Sequence, residues 1–239
     1  MQQSSTAAIS KVTRSTPALV GVAGVILEAF AEGALWWGDE RMLVVADLHF
    51  EKGSSFARRG QLLPPYDTAE TLLRLSRLIG RLDPKIVVAL GDSFHDNDGP
   101  ARLSPCDRAA IAALQSGRDW VWIAGNHDPA ATGLAGAHLD VLAIGGLTFR
   151  HQPTMGPVSG ELAGHLHPSA RVAGRGKSVR RRCFVGDGSR VVLPAFGAYA
   201  GGLNVLDKAF TGLFGGILIA FMIGDERVYP VGHRALRPD

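Results

Sequence analysis

Five short apolar runs in this chain each end at polar residues of the kind that bind metal ions. Short runs that are rich in β-branched residues and bounded by glycine are typical of buried strands. The polar residues that follow them are Asp47-Leu48-His49, Asp92-Ser93-Phe94-His95, Asn126-His127-Asp128, His151 and His165-Leu166-His167. Because α/β proteins carry their active sites on loops at strand ends, this arrangement predicts one shared site at the edge of a sheet.

The residue types at these strand ends favour a pair of transition-metal ions. Asp47 and His49 are two positions apart, so in an extended segment both side chains face the same way and can bind one ion. His165 and His167 can do the same or divide between two ions, and Asp92 can offer an oxygen to each of two cations. Mixed imidazole, carboxylate and amide donors suit manganese, iron, zinc or cobalt better than magnesium or calcium. The donors are too many for one tetrahedral ion and suit two ions that share a bridge. There are seven of them: Asp47, His49, Asp92, Asn126, His151, His165 and His167.

The order of strands and helices predicts an α/β fold. Asp67 and Glu70 form an N-cap pair that predicts a helix ending before Pro84, and Ser104-Pro105 predicts a second helix running to Gly117. Each helix lies between two of the apolar runs, so the first half of the chain predicts a mixed, partly parallel sheet with helices packed on it. The second half is rich in strand-like segments.

Length and composition indicate one globular domain without a membrane anchor. The chain has 239 residues, of which 46% are hydrophobic, and no linker long enough to separate two domains. We therefore expect a disordered tail over residues 1–16 and a single domain over residues 17–239. The apolar stretches 17–27 and 212–224 are too short to span a bilayer, and a signal peptide is the weaker interpretation of the first. The two cysteines lack metal-site spacing, which favours reduced thiols and a cytoplasmic location.

The motif series resembles the calcineurin-like metallophosphoesterase superfamily, and its Phe94-His95 pair resembles the SbcD-type DNA nucleases. Many other relatives have Asp at the position of His95. Five longer segments are similar to the ligase-associated DNA damage response phosphoesterases. These segments are VVADLHFEKGSSFARRG (44–60), LLPPYDTAETL (62–72), ALGDSFHD (89–96), GRDWVWIAGNHDP (117–129) and LPAFGAYAGGLNVLD (193–207).

The resemblance implies a fold and a metal centre. The fold is a four-layer α-β-β-α sandwich of two mixed sheets flanked by helices. The cofactors are two divalent cations, with manganese the first choice and zinc or iron as alternatives. The ligands of the first ion are Asp47, His49 and His167, those of the second are Asn126, His151 and His165, and Asp92 bridges the two.

The resemblance also implies the catalytic residues. His127 contacts the phosphate and donates a proton to the leaving oxygen, while Asp128 fixes the tautomer of His127 and raises its basicity. His95 lines the site and positions the phosphodiester. The reaction implied is in-line attack on phosphorus by a hydroxide that bridges the two ions.

Three functions are compatible with these residues. The first is a phosphodiesterase acting as a DNA endonuclease in repair, with DNA, an ATP-dependent DNA ligase and a helicase as partners. The second is a hydrolase of nucleotides, cyclic nucleotides or phosphoproteins on the same fold. The third, a metal-binding scaffold without activity, is disfavoured because all the ligands and His127 are present. The basic run at residues 171–182 fits either contact with nucleic acid or a solvated loop.

Overall fold

The computed structural model describes residues 16–128, 133–174 and 176–239. Residues 1–15 of the expected tail lie outside the described residues, and Thr16 forms a bridge with Arg227. The first sheet has seven strands. They are β1 (Ala18–Val22), β2 (Val25–Ala29), β3 (Leu35–Trp37), β4 (Met42–Val45), β5 (Ile86–Ala89), β6 (Asp119–Ile123) and β7 (Ala137–Leu139).

The first sheet is mixed, as the sequence predicts. Strands β1 to β4 pair antiparallel, whereas β4 to β7 pair parallel. The register places Val44 opposite Val88 and Val88 opposite Val121. Because β4, β5 and β6 run in the same direction, their carboxyl ends meet at one edge of the sheet, where the polar motifs follow.

Helices cover the outer face of the first sheet. They are α1 (Lys52–Arg58), α2 (Asp67–Leu82), α3 (Gly99–Arg102) and α4 (Pro105–Gln115). In α2, Leu75 and Leu78 are fully buried in a cluster that includes Val87 and Trp122 of the sheet. Helix α4 begins as predicted, because the Ser104 side chain accepts a hydrogen bond from the backbone amide of Asp107.

The second sheet has ten strands, all from the second half of the chain. They are β8 (Val141–Ile144), β9 (Leu147–Arg150), β10 (Glu161–Ala163), β11 (Pro168–Gly174), β12 (Lys177–Gly186), β13 (Arg190–Val192), β14 (Leu203–Asn204), β15 (Ile219–Ile223), β16 (Val228–Gly232) and β17 (Leu236–Arg237). The order is β14-β11-β12-β13-β10-β9-β8, with β15 pairing with β12 and β16, and β17 with β11. The β9-β10-β13 pairings are parallel.

The two sheets pack face to face, which confirms the α/β sandwich of two mixed sheets. Val44 and Val88 of the first sheet are buried in one cluster with Phe149, Leu162 and Phe184 of the second. The outer face of the second sheet is covered by segment 205–218, which contributes buried residues and one 3-10 turn. Within the described residues, no helix is both long and apolar enough to cross a membrane.

The described residues of the basic run, 171–174 and 176–182, lie in the antiparallel strand pair of β11 and β12 and the residue beside it, not in an irregular loop. Arg182 is largely buried and donates to the backbone carbonyl oxygens of Ala195 and Glu32. Arg180 pairs with the carboxylate of Asp239 at 3.0 Å. Part of this positive charge therefore stabilises the hairpin.

A buried ion pair links β10 and β13 to the loop that follows His151. The Arg190 Nε and Glu161 Oε1 atoms are 2.6 Å apart, and the exposed fractions of these residues are 0% and 3%. Glu161 also accepts a hydrogen bond from the Thr154 hydroxyl at 2.6 Å. This pair therefore fixes the loop beside one of the expected metal ligands.

Replacing Arg190 with Met is expected to lower the free energy of unfolding by about 3–5 kcal/mol, because the buried Glu161 carboxylate loses its close partner and keeps only the more distant Arg150, at 3.9 Å. Urea denaturation followed by circular dichroism measures this change. The matched control is Arg181→Met, since Arg181 is exposed on the same sheet. A change below about 0.5 kcal/mol in Arg190→Met would contradict the role of the pair.

Candidate metal centre

All seven expected metal donors lie together where strands of the two sheets end. Asp47, Asp92 and Asn126 follow strands β4, β5 and β6 of the first sheet. His151 and His165 follow β9 and β10 of the second. The site therefore lies between the carboxyl ends of two parallel groups of strands.

The first group of donors consists of Asp47, His49 and His167, whose ligand atoms all lie within 4.8 Å of one another. The Nε2 atoms of His49 and His167 are 3.2 Å apart, and His167 Nε2 is 3.4 Å from Asp47 Oδ1. The backbone amide of His165 donates to Asp47 and orients its carboxylate. These are the three residues that the resemblance implies for the first ion.

The second group consists of Asp92, His151 and His165, also within 4.8 Å. His151 Nε2 lies 3.2 Å from His165 Nδ1 and 2.9 Å from Asn126 Oδ1. The Nδ1 atom of His151 contacts the Leu90 carbonyl oxygen at 2.8 Å, so this hydrogen bond turns Nε2 toward the other donors.

Asp92 belongs to the second group and also faces the first. Its Oδ1 atom is 3.4 Å from His151 Nε2, and its Oδ2 atom is 4.0 Å from His49 Nε2. The backbone amide of His127 donates to Oδ1 at 2.9 Å and holds the carboxylate in this orientation. One carboxylate oxygen is therefore directed at each group, as a bridging ligand requires.

The donor set fits two divalent cations. Two pairs of imidazole nitrogens face each other at 3.2 Å, and each nitrogen offers either a lone pair or a proton to its neighbour. A cation that takes the place of the proton between two such nitrogens would be coordinated by both. The mixture of imidazole, carboxylate and amide donors is the one that first-row transition metals prefer.

The backbone at the site adopts an unusual conformation. Residues other than glycine rarely have a positive φ angle, yet five of the seven donors do. They are Asp47 (φ 52°), His49 (46°), Asp92 (45°), His165 (71°) and His167 (44°). Each such residue costs about 1–3 kcal/mol and is kept only where the surrounding structure fixes it. The tight turns bring side chains from separate strands into one small volume.

Glycines that precede the motifs leave room for the ligands. A Cβ atom at Gly164 would lie 2.7 Å from Asp47 Oδ2, and one at Gly125 would overlap both the backbone and the side chain of Asp92. This explains why these apolar runs end in glycine before the donors begin.

Burial and charge set the protonation of the donors. Burial, aided by the nearby His167, lowers the pKa of His49 to about 2, so its imidazole is neutral. Burial opposes the charged form of Asp92, but the hydrogen bond from His151 and its charge lower the Asp92 pKa to about 2. Burial likewise opposes a charged His151, yet Asp92 and Asp47 raise its pKa to about 9. A cation that binds at His151 must therefore displace a proton.

His127 and His95 line the opening of the site. Their rings stack with centroids 5.5 Å apart, and His95 Nδ1 is 3.5 Å from His49 Nδ1. His127 Nε2 lies 3.9 Å from Asp92 Oδ2, and the His127 side chain is 42% exposed. Burial, with help from the charges of Lys52 and His127, lowers the pKa of His95 to about 4.

The expected contact of Asp128 with His127 is wrong. The Nδ1 atom of His127 lies 3.0 Å from the His95 carbonyl oxygen, which is the group that sets the tautomer. Asp128 instead accepts a hydrogen bond from the Phe94 amide at 2.9 Å, because its side chain turns beneath the loop that carries His95. Burial raises the pKa of Asp128 to about 7.

Two parts of the site were missed by sequence reasoning. The charge of Lys52 acts on His49 and His95, and its Nζ atom donates to the Tyr199 carbonyl oxygen at 3.0 Å. Residues 195–202, here called the rim loop, hydrogen-bond to His167 through the Gly201 backbone. Lys52 and the rim loop lie in two of the segments that resemble ligase-associated phosphoesterases. No charge or ligand pattern in these segments predicts contact with the site.

Comparison with known proteins identifies a family and similar solved structures. Residues 40–179 match the model of the calcineurin-like phosphoesterase family. The crystal structure of the nuclease MPE from Pseudomonas putida is similar over 90% of this chain and 100% of that one, with 27% identity and a TM-score of 0.67. The phosphoesterase YfcE from E. coli covers 82% of this chain and 99% of its own, with 16% identity and a TM-score of 0.40.

A curated relative is matched over a shorter length. The "probable inactive purple acid phosphatase 29" of Arabidopsis thaliana is 31% identical over 99 residues, which are 40% of this chain. The chain spans 25% of the length of that relative.

Asp92→Ala is expected to weaken binding at both ion positions, because Asp92 is directed at both groups of donors. After incubation with manganese and dialysis, elemental analysis is expected to find less than about one ion per chain. Asn126→Ala, which removes a donor from one group only, is expected to retain more metal. The control is Asp140→Asn at an exposed bend. Two ions retained in Asp92→Ala would contradict the bridging position.

Proposed function

The chain belongs to the calcineurin-like phosphoesterase family, and we propose that it is a phosphodiesterase that uses two divalent cations to cleave DNA. The observation that carries the chemistry is the position of Asp92 between two groups of donors. The choice of DNA is supported by the similarity to a nuclease over 90% of the chain at 27% identity. The position of His95 in the opening of the site adds to this support.

The charge of the site suits a phosphodiester anion. Within the two groups of donors the carboxylates are those of Asp47 and Asp92, and the remaining members are imidazoles. Two divalent cations bound there would retain net positive charge, polarise the phosphate and lower the pKa of bound water. A substrate with one negative charge per phosphate is therefore attracted to the centre.

The residues around the donors supply proton transfer and positioning. The His95 carbonyl oxygen accepts the Nδ1 proton of His127, which leaves Nε2 as the atom that can hold the catalytic proton. Because the side chain of His127 is partly exposed at the opening, Nε2 can donate that proton to the leaving oxygen. His95 stacks on His127, limits its rotation and forms one wall for the phosphodiester.

We propose manganese as the metal, as the resemblance implies, with zinc or iron as alternatives; the mixture of imidazole and oxygen donors suits all three better than magnesium or calcium. We also propose a role in DNA repair together with an ATP-dependent DNA ligase and a helicase. The support for this role is the resemblance of the segments that include residues 44–60 and 193–207 to ligase-associated phosphoesterases.

A substrate panel tests the proposed function. With added Mn²⁺, the protein is expected to hydrolyse bis(4-nitrophenyl) phosphate faster than 4-nitrophenyl phosphate, and to cleave at least one of nicked, single-stranded and flapped DNA. Chelation is expected to abolish these activities. Hydrolysis of the monoester alone would show instead a phosphatase of small substrates.

His127→Ala is expected to lower kcat for the diester by about 10²- to 10⁴-fold, the usual effect of removing a general acid. Its metal content is expected to stay at the wild-type level, because His127 Nε2 is not among the two groups of donors. His233→Ala, at an exposed turn, is the matched control. Loss of bound metal in His127→Ala would show that His127 is a ligand.

A further inference from the structure

Backbone hydrogen bonds join the rim loop to one of the strand ends that carry the metal donors. The Phe196 amide donates to the Ala46 carbonyl oxygen at 2.8 Å, and the Gly197 amide donates to that of Asp47 at 3.1 Å. The next amide, that of Ala198, donates to the hydroxyl of Thr71 at 3.0 Å. The loop is therefore a fixed wall beside the metal centre.

Tyr199 is held at the outer side of this wall. Its carbonyl oxygen accepts a hydrogen bond from Lys52 Nζ at 3.0 Å, and its φ is 59°. A left-handed backbone is unfavourable for a bulky residue, so its presence at a functional site points to a use for the side chain. The exposed fraction of Tyr199 is 42%, and within the described residues its phenol group has no hydrogen-bond partner. Tyr199 therefore presents an aromatic ring to the solvent from a backbone that a hydrogen bond holds in place.

The surroundings of Tyr199 contain groups that bind phosphate. A cavity of about 430 Å³ lies against the rim loop and is lined by Tyr199, Arg74 and Arg182. Glu32 and Glu70 also line it, and they lie 3.0 Å from Arg81 and 3.6 Å from Arg74, respectively. Arg74 and Arg182 already donate to the carbonyl oxygens of Phe196 and Ala195 in this cavity, and the Lys52 ammonium group is the cation bonded to Tyr199 itself that can also contact a phosphate.

We propose that Tyr199 and this cavity form a nucleotide subsite, in which the tyrosine ring stacks on a base of the strand next to the cleaved phosphodiester. The subsite rests on the proposed cleavage of DNA. Aromatic side chains stack on every base, and neighbouring cations bind the backbone phosphates. Phosphate contacts alone would hold any polyanion, whereas stacking on Tyr199 requires a base.

The test compares two oligonucleotides that differ only in their bases. One is an oligothymidylate, and the other has the same length and phosphates but abasic units throughout. Tyr199→Asn removes the ring and suits the left-handed backbone, Tyr199→Phe keeps the ring, and Tyr229→Ala removes another exposed tyrosine as a control. The kcat/KM of each protein is measured on both substrates.

Tyr199→Asn is expected to lower kcat/KM on oligothymidylate about tenfold, the usual effect of losing one stacked base, and to leave the abasic oligomer unaffected. Tyr199→Phe and Tyr229→Ala are expected to match the wild type on both. An equal loss on both substrates would show that Tyr199 only supports the loop, and no loss on either would also overturn the subsite.

If the protein does not cleave DNA at all, the result differs from the outcomes described for the Tyr199 variants. In that case the wild-type protein hydrolyses small phosphate esters but cleaves neither the two oligonucleotides nor nicked or flapped DNA. That outcome rejects both proposals, whereas efficient cleavage with no selective effect of Tyr199→Asn rejects the subsite alone.

Discussion

The convergence of seven donors from five strand ends is the constraint on which this structure depends. Five of these residues have left-handed backbones, at about 1–3 kcal/mol each, a sum comparable with the whole stability of an ordinary domain. Such a site persists only if the rest of the fold fixes it. The fully buried strand β4 and the largely buried strand β5 supply a rigid support from one sheet, and the Arg190–Glu161 pair fixes the loop after His151 in the other.

The sequence predicted the half of the fold that positions most of the site. The apolar runs around Val44, Val88 and Val121 are β-branched and continuous because both faces of a parallel sheet are buried, and the intervening helices have clear signals. The covering of the second sheet was harder to predict. Segment 205–218 packs there mainly as a loop, and strand β12 pairs with β11, β13 and β15, which are contacts between residues distant in sequence.

The donors were predictable because ligand chemistry resides in side chains, whereas their supporting contacts were not. The tautomer of His127 is set by the carbonyl oxygen of His95, and His151 is oriented by that of Leu90. A backbone carbonyl belongs to every residue and gives no signal in a sequence. The resemblance implied Asp128 as the partner of His127, yet adjacent residues in a turn can point in opposite directions.

The residues that provide the chemistry of the site are not the ones that provide its selectivity. Every phosphate ester presents the same group to the cations, so the donors alone cannot distinguish a DNA strand from a small ester. Selectivity must come from groups that contact the substrate beyond the phosphate. In the part of the chain that the structure describes, His95, Lys52 and the rim loop occupy that position. Because the rim loop is bonded to Ala46 and Asp47, a substrate that binds Tyr199 is placed relative to the same strand ends that place the metal donors.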